Sequence, residues 1–313
     1  MFRTLTSFFL CAFIFSSFST LALTTDGSAA PMLREGRILQ HLREKSKERA
    51  LAKLEGGQRL TIAGIKVAVW EPAGLKVPRV SPVPLVIFSH GFHGYNTQSI
   101  FLMKALADAG YMVIAPTHHD AITNGASKQE IEFFKYYKWS DSTYKDRKED
   151  IQNLIAGLRN DPEWNAKIDW SKLALAGHSL GGYTVLGLAG AWPSWKLPGV
   201  KAVIALAPYT NPFISKKTLD KIDVPVMYQS GSRDTWINPF VISDNGAYGQ
   251  TPSPAVCVEF DRFNHFAWTN FNKNHEREDL ISHYCIEFLD KYVLDRVTAN
   301  PIQQLAGVNL QSK

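Results

Sequence analysis

Leu173-Ala174-Leu175-Ala176-Gly177-His178-Ser179-Leu180-Gly181-Gly182-Tyr183-Thr184-Val185-Leu186 runs from an apolar strand straight into a helical pattern, with a G-x-S-x-G core at the junction. A serine between a strand and a helix takes a strained backbone conformation, and glycines two before and two after leave room for so sharp a turn. The strain lifts the hydroxyl clear of the sheet edge. The following helix would aim free N–H groups and its positive dipole end at an oxyanion forming beside the serine. Ser179 is therefore the candidate nucleophile. The pattern alone is short enough to recur as an ordinary turn, and it is the flanking strand and helix that give it weight.

A serine hydroxyl needs a general base, and the base needs an orienting carboxylate. At a strand–turn–helix serine the chain order is serine, acid, histidine. Val224-Pro225-Val226-Met227-Tyr228-Gln229 ends in Ser230-Gly231-Ser232-Arg233-Asp234, which sets Asp234 at a strand's carboxyl end. The next apolar run, Ala255 to Phe260, leads into Arg262-Phe263-Asn264-His265, and that loop lets His265 reach back to Ser179. Asp261 lies too near His265 in sequence to orient it easily, and Asp223 precedes its strand. Among the other histidines, His178 sits inside the turn, while His275 and His283 fall on a terminal helix expected over 274–294.

A second oxyanion donor belongs in the loop after an earlier strand. Pro84-Leu85-Val86-Ile87-Phe88-Ser89 opens into His90-Gly91-Phe92-His93-Gly94, where Gly91 permits close backbone approach and the Phe92 N–H would pair with the Leu180 N–H. An ordinary strand-to-helix turn is the alternative.

Taken together, Ser89-His90-Gly91-Phe92, Gly177 to Tyr183, the Gly231 to Asp234 strand end and His265-Phe266-Ala267 resemble the α/β-hydrolase fold. The narrower resemblance is to bacterial predicted dienelactone hydrolases and platelet-activating factor acetylhydrolase-like serine esterases. Asp146-Arg147-Lys148-Glu149-Asp150, opening the helix before the serine turn, belongs to the same likeness, which runs from about Gln58 to Leu294. It implies Ser179, Asp234 and His265 as a triad, Phe92 and Leu180 as the oxyanion hole, and a carboxylic ester as substrate. His93 stands where many such relatives carry glycine, which alters the loop at the pocket mouth.

Alternating apolar and helical runs in a chain of 313 residues predict one α/β domain over 58–295, a mostly parallel sheet with helices on both faces and at most a small cap. The strands are expected at 59–69, 85–89, 112–116, 173–176, 203–207, 224–229 and 255–260, the first as an antiparallel start. Helices at 99–109 and 142–158 supply crossovers. Residues 296–313 read as a C-terminal tail.

The net charge of +5 is mild and no aromatic-interleaved basic patch occurs, so nucleic acid is not an expected partner. Arg3 followed by Phe8-Phe9-Leu10-Cys11-Ala12-Phe13-Ile14-Phe15 reads as a signal peptide over 1–22, and hence as export to the periplasm or medium. Residues 23–57 form a lead-in whose basic, amphipathic stretch 33–54 suits either solvent or the surface of an anionic membrane. Cys257 and Cys285 would remain after cleavage, as a disulfide in an oxidising compartment or as two buried thiols. His118-His119-Asp120 reads as a turn in preference to a metal site, because adjacent strand-end residues point apart. No metal or cofactor is called for.

Pocket walls are expected from His93, Tyr183, Tyr209, Trp236 and Trp268, together with Phe213, at strand ends. The aromatic run Ile131, Phe133, Phe134, Tyr136, Tyr137 and Trp139 is either a small cap or core. These residues suit a small-molecule or lipid ester with an apolar or aromatic part. An acyltransferase, a peptidase and a non-catalytic envelope-binding protein are the rival functions.

Overall fold

The computed structural model describes residues 57–72, 81–125, 132–272, 275, 277–296 and 302–313. The signal peptide, nearly all of the lead-in and its membrane-surface stretch lie outside the described residues, as does part of the aromatic run. All described residues belong to the compact unit Lys53–Lys313.

A hairpin, β1 (Gly57–Ile62) and β2 (Ile65–Trp70), opens the sheet, where Ala63 and Gly64 take positive φ to turn the chain back. This hairpin is the antiparallel start expected over 59–69. β3 (Val83–Ser89) follows, then α1 (Ile100–Asp108), β4 (Met112–Pro116), α2 (Lys145–Asn160), α3 (Pro162–Lys167) and β5 (Ile168–His178). α4 (Leu180–Leu186) leads to β6 (Val200–Leu206), α5 (Asn211–Lys216) and β7 (Val226–Gly231). The short helices α6 (Asn238–Ile242) and α7 (Ala247–Gln250) precede β8 (Ala255–Phe260), α8 (Glu278–Tyr292) and β9 (Val308–Ser312).

The strands lie in the order β1-β2-β4-β3-β5-β6-β7-β8-β9. β4, β3, β5, β6, β7 and β8 are mutually parallel, and antiparallel neighbours flank them at both ends. The parallel strands are continuous apolar runs because helices cover both faces: Leu85 to Phe88, Met112 to Ala115, Leu173 to Ala176 and Ala202 to Leu206 are all buried.

β4 and β8 fall on the residues expected. β5 begins at Ile168, before the apolar run, because Ile168 and Asp169 pair with Val83 and Pro84 although Ser171 and Lys172 interrupt the pattern. The last helix starts at Glu278, so His275 precedes it and bonds Glu278 through Nδ1 (2.6 Å). The segment expected as a tail carries β9, which pairs with β8 from Val256↔Ser312 to Phe260↔Val308. β8, the strand that leads to His265, is therefore an interior strand.

Among the described residues, Cys257 and Cys285 are free, both buried, and on opposite faces of the sheet. Cys257 sits beside Tyr228 in register, and Tyr228 Oη bonds Thr251 Oγ1 on the α7 side (2.7 Å). Cys285 lies on α8 against the other face, where Gln229 Nε2 donates to its Sγ (3.2 Å). Successive strand residues point to opposite faces, so Tyr228 and Gln229 keep the sulfurs apart and the disulfide reading is corrected.

Deleting residues 302–313 uncovers the edge of β8. It should lower the melting temperature by roughly 5–10 °C and promote aggregation, read by thermal melts with light scattering.

Candidate active site

Ser179 follows directly on β5 and adopts φ 55° and ψ −115°, a region costly for a residue with a Cβ. Such strain persists only where the surroundings over-determine it. The Ser179 N–H donates to the Leu206 carbonyl (2.9 Å), and its own carbonyl accepts from the Tyr209 N–H (3.0 Å) and the Tyr183 N–H (3.2 Å). The flanking glycines are steric necessities. A Cβ at Gly177 would lie 2.3 Å from the Gly181 carbonyl oxygen, and one at Gly181 would lie 1.9 Å from the Ser89 oxygen.

The sheet order brings the expected partners to this turn. Asp234 follows β7 in a tight turn, its N–H donating to the Gly231 carbonyl (2.9 Å). His265 lies in the loop after β8. Its Nδ1 is 2.6 Å from Asp234 Oδ2 and its Nε2 is 2.9 Å from Ser179 Oγ. A carboxylate only accepts, so in the neutral ring Nδ1 carries the proton and the Nε2 lone pair faces the serine hydroxyl. Asp234 is buried, whereas Asp261 and Asp223 are exposed and pair with Arg262 and Lys196.

Gly91 and Phe92 pass beside the serine, since a Cβ at Gly91 would lie 3.5 Å from Ser179 Cβ. Neither the Phe92 nor the Leu180 N–H has a hydrogen-bond partner among the described residues. The direction of the Phe92 N–H is set from behind by Arg147, fully buried at 0% exposure. Its Nε and Nη2 donate to Asp120 Oδ1 (2.9 Å) and Oδ2 (2.7 Å), Nη1 to the His90 carbonyl (2.7 Å), and Nη2 to the Gly91 carbonyl (3.0 Å). In a trans peptide the C=O and N–H point oppositely, so a grip on the Gly91 carbonyl turns the Phe92 N–H toward the other side of the loop. Burial pushes the Asp120 carboxyl up, but the charge and hydrogen bonds of Arg147 overcome it and hold Asp120 well below the usual carboxylate range.

Histidines complete this buried layer. The His90 Nε2 accepts from the His118 N–H (3.0 Å), so its Nδ1 carries the proton and donates to the Gly91 carbonyl (2.7 Å). His118 joins Asp150 Oδ2 through Nδ1 (2.9 Å) and Ser89 Oγ through Nε2 (2.8 Å). Ser89, His118 and Asp150 thus repeat the connectivity of Ser179, His265 and Asp234, but all three are buried and tie β3, β4 and α2 together. Burial, and next the charge of Arg147, lower the pKa of both His90 and His118. In the 118–120 turn, His119 Nδ1 reaches Asp150 Oδ1 (2.7 Å), while Asp120 turns inward to Arg147.

The expected pocket walls divide. Trp268 and Tyr183 are fully buried and belong to the core. Trp268 Nε1 donates to Gln229 Oε1 (2.8 Å), while Tyr183 Oη donates to the Thr143 carbonyl (3.0 Å) and stacks on Phe213. Tyr209 is also buried, but its ring meets Phe133 edge-on (5.1 Å) beside Trp139. Phe133 in turn packs edge-on against Phe92 (5.7 Å). His93, at φ 52°, stacks on Phe92 with ring centroids 3.5 Å apart. Trp236 is 65% exposed and touches Phe134 edge-on. Within the described part of the aromatic run, Phe133 and Trp139 pack inward, while Phe134 and Tyr137 face solvent. Of the supporting residues, Arg147 and Asp150 stand in the quoted family likeness and Asp120 in the 118–120 turn, each without its role, and Gln98 belongs to no motif.

A parallel sheet with a strained serine after β5, an acid after β7 and a histidine after β8 defines an α/β-hydrolase. The chlorophyllase family model matches residues 71–257, more than half of the chain, and the chain belongs to that family. The match takes in Ser179 and Asp234 and stops short of His265.

Among curated proteins, cutinase est2 of Thermobifida alba is 26% identical over 211 residues, covering 66% of this chain and 59% of the relative. Cutinase est1 of the same organism is 26% identical over 211 residues, covering 66% and 60%. YitV of Bacillus subtilis (strain 168) is 32% identical over 120 residues, covering 38% and 43%. The chain thus spans less than two thirds of the length of each of these relatives.

Arg147→Met leaves Asp120 buried and unpaired and should cost about 3–5 kcal/mol of stability. The double variant Arg147→Met/Asp120→Leu should recover much of that loss, as read by urea unfolding. Burial, reinforced by the nearby His265, lowers the pKa of His178 to about 3, against 6.5 in the unfolded chain. Below about pH 6.5 the unfolded state binds a proton that the folded state refuses, so stability falls as pH drops toward 3 and gains nothing further above 6.5. Melting temperature should decline from pH 7 to pH 4, and less steeply in His178→Gln.

Proposed function

We propose that this chain is an exported serine ester hydrolase acting on a carboxylic ester with an apolar or aromatic part, through an acyl-serine intermediate. The observation that carries the reading is the hydrogen-bonded line from Asp234 Oδ2 to His265 (2.6 Å) and on to Ser179 Oγ (2.9 Å), beside the Phe92 and Leu180 N–H groups, which have no hydrogen-bond partner among the described residues. Cutinases among the relatives support an ester as substrate. The likeness to dienelactone hydrolases and acetylhydrolase-like esterases rests on the motifs and agrees with it.

In this mechanism His265 Nε2 takes the Ser179 proton as Oγ attacks the ester carbonyl, and the Phe92 and Leu180 N–H groups hold the oxyanion. Asp234 stabilises the imidazolium. The tetrahedral adduct collapses, the C–O bond to the leaving group breaks, and His265 returns the proton to the departing alkoxide. Water then attacks the acyl-serine, giving its proton to His265, and the second collapse releases the acid and restores Ser179. Phe92, Phe133 and Tyr209 form an aromatic wall suited to an apolar group. Export rests on the apolar stretch Phe8 to Phe15 after Arg3.

Hydrolysis of p-nitrophenyl esters from acetate to palmitate by the chain from Leu23 onward is the test. The wild type should turn over at least one chain length, and Ser179→Ala should lose at least about 10,000-fold in kcat. Equal turnover by the variant, or none by the folded wild type, overturns the reading.

A further inference from the structure

Gln98, just before α1, joins two loops that the mechanism treats separately. The Gly91 N–H donates to Gln98 Oε1 (3.0 Å). Gln98 Nε2 approaches His178 Nδ1 (2.9 Å), and His178 Nε2 approaches the His265 carbonyl (2.8 Å). Gln98 and His178 are both buried.

The polarity of this line is fixed from its two ends. A backbone N–H only donates, so the Gln98 oxygen must face Gly91 and its amide nitrogen must face His178. A backbone carbonyl only accepts, so His178 carries its proton on Nε2 and presents the Nδ1 lone pair to Gln98. The line closes only when His178 is neutral, and burial keeps it so.

What the line connects gives it a consequence beyond packing. Gly91 opens the peptide whose far side is the Phe92 N–H, and Arg147 already holds its carbonyl. With its N–H held by Gln98, Gly91 is fixed at both polar ends. At the other end, the backbone of His265 is held by the ring of the residue before Ser179. The neighbouring chain is stitched in parallel: Ser99 Oγ donates to the Trp268 carbonyl (2.6 Å), the Asn270 N–H to the Gln98 carbonyl (2.7 Å), and Asn270 Nδ2 to the Thr97 carbonyl (2.6 Å).

We propose that Gln98 is a positioning residue which, through His178, locks the loop carrying the oxyanion donor to the loop carrying the base, so that both are held at one spacing about Ser179. This rests on the function proposed above. Gln98 would touch no substrate. Its effect should fall on kcat, which depends on where the oxyanion and the His265 ring stand, and little on KM.

Gln98→Met keeps the bulk and loses both hydrogen bonds. Gln98→Glu keeps the acceptor for Gly91 but loses the donor to His178, so His178 can meet the new carboxylate only by taking a proton on Nδ1. The titratable neighbour of His178 is His265, with ring centroids 4.9 Å apart, and Trp268 lies over the ring at 6.4 Å without charge. A proton on His178 in Gln98→Glu would therefore also disfavour the imidazolium of His265.

The experiment measures kcat and KM for p-nitrophenyl butyrate against pH, with thermal melts and NMR of ¹⁵N-labelled histidine, in wild type and both variants. We expect kcat to fall roughly 10- to 100-fold in Gln98→Met with KM changed less than about threefold, and Gln98→Glu to add a titration to the kcat profile that Gln98→Met lacks. The His178 resonances should show the Nε2–H tautomer in wild type and a raised pKa in Gln98→Glu. Wild-type kcat and pH profile in folded Gln98→Met, or an unchanged His178 in Gln98→Glu, overturns the proposal. NMR reads the bridge without turnover. A wild type with no esterase activity but the expected His178 tautomer would therefore refute the function and the kinetic role while leaving the bridge standing.

Discussion

A fully buried guanidinium is the constraint on which the arrangement around Ser179 depends. Taking Arg147 and Asp120 out of water costs several kcal/mol for each ion unless every donor and acceptor finds a partner. Arg147 meets the condition: its hydrogen bonds go to both oxygens of Asp120, to two consecutive backbone carbonyls, and at 3.5 Å to Ser89 Oγ. The groups that satisfy the ion pair are thus the groups that shape the loop. Stability and orientation are joined in one contact, because the loop cannot rotate its carbonyls away without leaving a buried charge unmet.

On the other side of that loop the chain does the opposite and stores strain. Ser179 sits at positive φ with three backbone hydrogen bonds and two obligatory glycines around it. The parallel strands supply the rigidity that makes this tolerable, and their carboxyl ends gather segments distant in sequence, as open α/β sheets do at ligand sites. β5 delivers the serine, β7 the carboxylate and β8 the histidine. β6, between β5 and β7, anchors the serine turn through the Leu206 carbonyl.

Much of this is legible in the amino-acid sequence. Ser179, Asp234 and His265 are legible because each follows an apolar run at a strand's end, and the strand–turn–helix topology restricts their order. β4 and β8 could be read to the residue because Met112-Val113-Ile114-Ala115-Pro116 and Ala255 to Phe260 are unbroken. Gln98 is not legible, and Asp120 and Asp150 are legible only as members of a turn and of a family likeness, since a polar residue that serves a distant segment carries no local periodicity. Arg147 was visible as part of a family likeness, without its role. β9 was missed because Val308-Asn309-Leu310-Gln311-Ser312 is a half-exposed edge strand with only two apolar residues. Trp268 and Tyr183 belong to the core and not to the expected pocket walls for a related reason: proximity to a strand end says nothing about which way a side chain turns.

The sheet standing between Cys257 and Cys285 has a consequence for where this fold can form. Burial pushes the Cys257 thiol up to about 12 and raises that of Cys285 as well, so neither is an available thiolate at neutral pH. With the two sulfurs on opposite faces, no covalent crosslink between strand and helix contributes to the native state. The described domain is therefore indifferent to redox poise: it can reach the same structure in a reducing cytosol as in an oxidising envelope, and needs no thiol oxidase on the way.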